Sequence, residues 1–133
     1  MKTLVVDDEP LARERLVALL AEFADVEVVG EAGHGIAALE AAERLRPDLV
    51  LLDIRMPELD GLAVARAVRA MERERPGRAP LPLVAVSANV AAGDRAAALA
   101  AGMDDCLAKP LDRAALQRWL DRVANPQALT LSA

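Results

Sequence analysis

"DLVLLD", residues 48–53, decides how this chain folds. Four apolar residues run unbroken between two aspartates. A strand with one wet face would alternate apolar and polar residues. An unbroken apolar run predicts a strand covered on both faces, as in a parallel sheet. Working outward, four more short apolar runs appear: "TLVV" (3–6), "VEVVG" (26–30), "LPLVAVS" (81–87) and "CLA" (106–108), the last the weakest.

Helical patterns separate these runs. Ala12, Leu16, Leu19, Leu20 and Phe23 share a face, with Pro10 at a first helical position. Ala38, Leu39, Ala42 and Leu45 form a second stripe, closed by Pro47. Leu62, Ala65 and Val68 follow the turn dipeptide Asp60-Gly61. A fourth helix is predicted from Ala91 to Ala101, stopped by Gly102. A fifth carries Leu116, Trp119, Leu120 and Val123 behind an Asp112 cap. Strand–helix alternation repeated in this way predicts an α/β doubly wound parallel sheet with helices on both faces. The long polar connector is "ERERPGRAP" (72–80), and 125–133 reads as a flexible C-terminal tail.

With 133 residues, the chain is predicted to form a single domain. The net charge of −5 argues against direct nucleic acid binding or an anionic membrane surface. With 2% aromatic residues there is little to stack on bases. A single cysteine cannot form an intrachain disulfide, and no apolar run approaches the length of a membrane span. The expected compartment is the cytoplasm.

In open parallel sheets, ligands bind beyond the carboxyl ends of the strands. Asp7 and Asp8 follow the first predicted strand, Asp53 ends the third, Ser87 ends the fourth, and Lys109 follows the fifth. Clustered carboxylates resist ionising together, and Mg²⁺, which takes carboxylate, water and phosphate oxygens, relieves the repulsion. An Asp carboxylate can act as a nucleophile toward phosphorus. Ser87 and Lys109 would then supply donors to phosphoryl oxygens. Each residue also has a simpler reading: Asp7 and Asp8 as helix caps, Asp53 as a turn residue, Ser87 and Lys109 as surface groups.

Several stretches together resemble the receiver domain of bacterial two-component response regulators. They are "VVDDEP" (5–10), "PDLVLLDIRMPELDG" (47–61), "LVAVSAN" (83–89) and "AAGMDDCLAKP" (100–110). The resemblance covers about residues 1–124. It implies a flavodoxin-like sheet of five strands in the order 2-1-3-4-5, flanked by five helices. It implies that Asp53 accepts a phosphoryl group from a phosphohistidine on a sensor histidine kinase or histidine phosphotransfer protein. Asp8 would bind Mg²⁺ directly and Asp7 mainly through water, with the backbone carbonyl of Arg55 as a further ligand. Ser87 would hydrogen-bond the phosphoryl group and Lys109 would pair with it. The Lys109–Pro110 bond would be cis. The domain would act as a signalling switch, not a conventional enzyme, and would address a downstream protein partner or a fused output domain.

Two departures stand out. Cys106 occupies the place of the family's usual Tyr or Phe, whose ring normally turns inward on activation. It reads as a small buried strand residue, with a redox-sensing thiol as the alternative. Residues 1–70 resemble receivers attached to LytTR-type DNA-binding domains, whereas 83–124 resemble receivers of hybrid sensor kinases. No output domain follows, which leaves a stand-alone receiver or a fragment. Rival readings are a receiver-shaped adaptor that takes no phosphate, and a haloacid-dehalogenase-type phosphatase. The latter expects a second Asp where this chain has Arg55. His34 and the arginines Arg66, Arg69, Arg73, Arg75 and Arg78 read as solvated surface. Trp119 reads as a packing residue, or as part of a partner interface.

Overall fold

A computed structural model of the chain describes residues 1–124; the tail predicted for 125–133 lies outside the described residues. The elements are β1 (Lys2–Val6), α1 (Pro10–Leu20), β2 (Glu27–Ala32), α2 (Gly35–Leu45), β3 (Leu49–Asp53), α3 (Gly61–Arg73), β4 (Leu83–Ser87), a 3-10 turn (Val90–Ala92), α4 (Asp94–Ala100), β5 (Asp105–Ala108) and α5 (Arg113–Ala124). All strands pair in parallel, in the order β2-β1-β3-β4-β5. This is the flavodoxin-like order that the resemblance implies.

The unbroken apolar runs are explained by the layers on either side. Every residue of β3 and of β4 is buried. Alternate residues point to opposite faces. Leu4, Val6, Val50, Leu52, Leu83 and Ala85 pack with α2, α3 and α4. Val5, Leu49, Leu51, Val84 and Val86 pack with α1 and α5 through Leu16, Leu20, Leu116, Trp119 and Leu120. Each large aliphatic side chain fully buried this way contributes about 1.5–3 kcal/mol. β2 is an edge strand and is half-buried, unlike the central strands, and it begins and ends later than its apolar run.

The predicted helix signals hold at several ends. Pro10 opens α1. The Asp60 carboxylate accepts from the Ala63 backbone N–H at 2.9 Å and caps α3. The Asp112 carboxylate accepts from the Ala115 backbone N–H at 2.7 Å ahead of α5. α2 stops at Leu45, where Arg46 turns left-handed before Pro47.

The fourth helix differs from expectation. Instead of one helix from Ala91, there is a 3-10 turn, then Gly93 at φ 97°, then α4 from Asp94. Alanine periodicity ran across a glycine that the chain uses as a left-handed joint. Arg69 also departs from a solvated face. It is largely covered and donates to the carbonyls of Gly102 (2.8 Å) and Leu81 (2.9 Å), and to Glu72 and Asp104. It ties α3 to the chain entering β4 and β5. Trp119 is buried, and its indole N–H donates to the Asp105 carboxylate at 2.8 Å, so it packs within the fold. His34 is exposed as expected, and its ring nitrogen accepts from the Ala37 N–H at the start of α2.

Candidate functional site

The crossover connections leave β1 in opposite directions from β3, so the loops after these two strands open a crevice at the sheet's carboxyl edge. Asp7, Asp8 and Asp53 meet there. Each offers a carboxylate oxygen, and the three lie within 4.8 Å of one another. Asp7 and Asp53 are buried, and Asp8 is half-buried. Neither Asp7 nor Asp8 caps α1, whose N-cap is Glu9 without a side-chain hydrogen bond. The Asp7 carboxylate instead accepts from the Glu9 backbone N–H at 2.9 Å, which turns the chain around the acidic pair.

Lys109 reaches into this cluster from the β5–α5 loop. Its ammonium lies 3.0 Å from Asp7 Oδ2 and 3.3 Å from Asp53 Oδ1. The Lys109–Pro110 peptide is cis, as expected. The Lys109 N–H donates to the Ser87 carbonyl at 2.8 Å, fixing the loop on β4. Burial pushes the Asp53 carboxyl up to about 6, and the neighbouring Asp7 charge adds to this while Lys109 opposes it. Burial alone would lower the Lys109 ammonium. The hydrogen bond to Asp7 and the charge of Asp53 outweigh burial, and its net shift is upward.

The β3–α3 loop is held tightly. The Arg55 backbone N–H donates to Asp53 Oδ1 at 3.3 Å, and the Gly61 N–H donates to the Ile54 carbonyl at 3.0 Å. A Cβ on Gly61 would lie 2.3 Å from the Asp53 carbonyl oxygen, so α3 can start this close to the acidic edge because residue 61 has no side chain.

Ser87 stands at the same edge, but its side chain is bonded to Asp94 and Asn89 and not to the Asp7, Asp8 and Asp53 carboxylates. Its hydroxyl donates to Asp94 Oδ2, and its oxygen accepts from the Asn89 backbone N–H at 2.9 Å. Asp94 Oδ1 in turn accepts from the Arg55 guanidinium at 3.1 Å. Asp94 escaped the reading of the sequence because it sits in an alanine-rich stretch with no motif around it. Asp7, Asp8, Asp53 and Lys109 therefore meet in the crevice, the Arg55 backbone N–H is bonded to Asp53, and the Ser87 hydroxyl is bonded to Asp94.

Residues 3–121 match the sequence profile of the response regulator receiver domain. The chain belongs to the response regulator receiver domain family. The curated relatives that the chain matches are of several kinds. The chain is 38% identical over 125 residues to a protein-glutamate methylesterase/protein-glutamine glutaminase of Nocardioides, covering 92% of this chain and 32% of that protein. It is 43% identical over 110 residues to the sensor protein GacS of Pseudomonas syringae, covering 83% of this chain and 12% of that one. It is 37% identical over 130 residues to the transcriptional regulatory protein BtsR of Escherichia coli, covering 96% of this chain and 50% of that one. The chain thus spans half or less of the length of these relatives.

Among solved structures, this receiver is similar to that of a sensor histidine kinase of Pseudomonas aeruginosa, in which magnesium is coordinated in the active-site cleft. The TM-score is 0.79 at 40% identity, over 93% of this chain and 98% of that one. It is also similar to the receiver of Ssk1 of Saccharomyces cerevisiae, solved with the histidine phosphotransfer protein Ypd1. That TM-score is 0.76 at 26% identity, over 88% of this chain and 83% of that one. Receivers pair with histidine kinases or phosphotransfer proteins, and the receiver fold serves signalling instead of turnover of a substrate. No helix among the described residues is long and apolar enough to cross a membrane.

Proposed function

We propose that residues 1–124 form a phosphoacceptor receiver in which Asp53 takes a phosphoryl group from a phosphohistidine. The donor would be a sensor histidine kinase or a histidine phosphotransfer protein, the class of partner seen with the Ssk1 receiver. The observation that carries this reading is the convergence of the Asp7, Asp8 and Asp53 oxygens within 4.8 Å, with Lys109 bonded to two of them.

An Asp53 oxygen attacks phosphorus; the new P–O bond forms as the P–N bond of the donor breaks, and the imidazole keeps the electron pair. Asp53 is suited to the role because it is held by the Arg55 N–H and paired with a cation, leaving its other oxygen for attack. Lys109 neutralises charge on the transferred group, whose transition state is loose and governed by electrostatics. Ser87 supplies a further donor once its hydroxyl turns toward the crevice.

Three oxygen donors of this kind suit a hard cation. Asp8 would hold Mg²⁺ directly, with Asp7 through water, and Asp53 and the Arg55 backbone carbonyl would complete the protein ligands. Bound there, the ion would offset negative charge on the phosphoryl oxygens. The same residues would support hydrolysis of the phosphoaspartate, so the domain resets itself. Phosphorylation would switch binding to a downstream protein or a fused output domain, in the cytoplasm.

The test is intact mass after incubation with acetyl phosphate. A single phosphoryl adduct is expected with Mg²⁺, none with a chelator, and none in Asp53→Asn. Absence of the adduct from the wild type under all these conditions would favour an adaptor that takes no phosphate.

A further inference from the structure

We propose that Asp94 is a positioning residue that holds Ser87 off the phosphoryl site and carries the movement of Ser87 into α4. This deepens the phosphoacceptor reading and rests on it. A serine hydroxyl has one hydrogen to donate. In this structure it goes to Asp94 Oδ2, while the Asn89 N–H occupies the oxygen. Ser87 cannot donate to a phosphoryl oxygen until it leaves Asp94.

The second oxygen of Asp94 is also taken. It accepts from Arg55, which lies two residues after Asp53 and whose side chain is otherwise mostly exposed. A phosphoryl group on Asp53 brings a dense negative charge with several acceptors. It competes for the Ser87 proton and for the Arg55 guanidinium together. Both partners of Asp94 are therefore drawn in the same direction. Asp94 is 7% exposed, and a buried carboxylate stripped of its donors is costly. The carboxylate has to move toward water.

It can move because of where it sits. Asp94 is the first residue of α4, directly after Gly93 at φ 97°. A Cβ on Gly93 would meet nothing within 4 Å, so this joint is uncrowded. α4 itself is seven residues long. The residue after Asp94 reaches the far edge of the sheet. Arg95 pairs with the Asp105 carboxylate and donates to the Cys106 carbonyl at 3.1 Å. The other oxygen of Asp105 accepts the Trp119 indole N–H at 2.8 Å. Contacts thus run from Ser87 through Asp94 and Arg95 to β5 and α5. The route needs no ring at position 106, where this receiver has a cysteine.

Trp119 is the chain's single tryptophan and gives an optical reading of that route. The experiment titrates the whole chain with beryllofluoride and Mg²⁺, measuring occupancy by fluorine NMR and the response by Trp119 fluorescence. The wild type is expected to bind and to change its fluorescence. Asp94→Ala is expected to bind about ten-fold more tightly, the worth of one hydrogen bond to a charged group, and to lose most of the fluorescence change. A purely structural role would not tighten binding. Asp94→Asn keeps an acceptor for Ser87 but loses the ion pair, so it should tighten binding by a smaller factor and serves if the alanine variant does not fold. In a Ser87→Ala background, replacing Asp94 should no longer tighten binding. Wild-type or weaker affinity in both Asp94 variants would overturn the proposal while leaving the phosphoacceptor reading intact. Absence of beryllofluoride binding by the wild type would overturn both.

Discussion

Lys109 shows how a residue gains meaning from distance. In sequence it is one of two lysines, placed before a proline. In the fold its ammonium sits between Asp7 and Asp53, from strands that precede it by far in the chain. That placement was legible because strand ends converge at one edge of a parallel sheet, whatever the intervening sequence. The contacts of Ser87 were not legible, because a hydroxyl chooses its acceptor from side chains that no spacing rule places. Asp53 yields a prediction with a defined sign. Its carboxyl is raised from 3.8 to about 6, chiefly by burial. The folded state then holds this proton more tightly than the unfolded one, so ionisation of Asp53 costs stability as pH rises through the window from about 4 to 6. In chelator-treated buffer, Asp53→Asn should match the wild type near pH 4 and exceed it above pH 6, by at most about 3 kcal/mol. Calorimetry across that range checks this, and a difference independent of pH would contradict it. Cys106 is buried at 2% exposure, and burial, followed by the charge of Asp94, pushes its thiol up. A thiol reagent should modify it slowly in the native state and quickly in denaturant. Rapid native labelling would revive a redox role.

At the scale of elements, the boundaries that carried a chemical signal were readable. Asp112 caps the helix expected of it, Asp60 of the expected turn dipeptide caps α3, and Pro10 opens α1. α4 was misjudged in its start because alanine spacing is the same on both sides of Gly93, and the left-handed turn leaves no mark in periodicity. Arg69 was misread because Glu72 and Glu74 interleave with the arginines around it, whereas its partners include carbonyls and a carboxylate brought in from the β4 and β5 approaches. The β3–α3 junction gives the element-level prediction. Gly61 packs where a Cβ would sit 2.3 Å from the Asp53 carbonyl oxygen and 2.9 Å from Ile54 Cα. Gly61→Ala must push α3 away from the end of β3. Overpacking of this kind costs about 1–3 kcal/mol. The variant should lose that much stability in denaturant titration, and its phosphorylation rate should fall because the Asp53 loop shifts. Unchanged stability and rate would show that the junction gives way freely.

For the whole molecule, the two helical layers were legible in the apolar runs, whereas the strand order β2-β1-β3-β4-β5 was implied only by the family resemblance. The unbroken run from Leu49 to Leu52 required cover on both faces, and α2, α3 and α4 supply one cover while α1 and α5 supply the other. The edge strands were harder to read: β2 is half-buried, and β5 is short and begins at Asp105, a polar residue whose burial depends on Arg95 and Trp119. The acidic crevice is a property of the assembled sheet, since its carboxylates come from β1 and β3 and its cation from beyond β5. The central claim is that this assembly places a phosphoryl group on Asp53. The most direct measurement is to treat the protein with acetyl phosphate and Mg²⁺, reduce any acyl phosphate with borohydride, and map the product by peptide mass spectrometry. Reduction converts an aspartyl phosphate to homoserine, and the account predicts homoserine at position 53 alone. Homoserine at another aspartate, or none in a protein that remains folded, would contradict it.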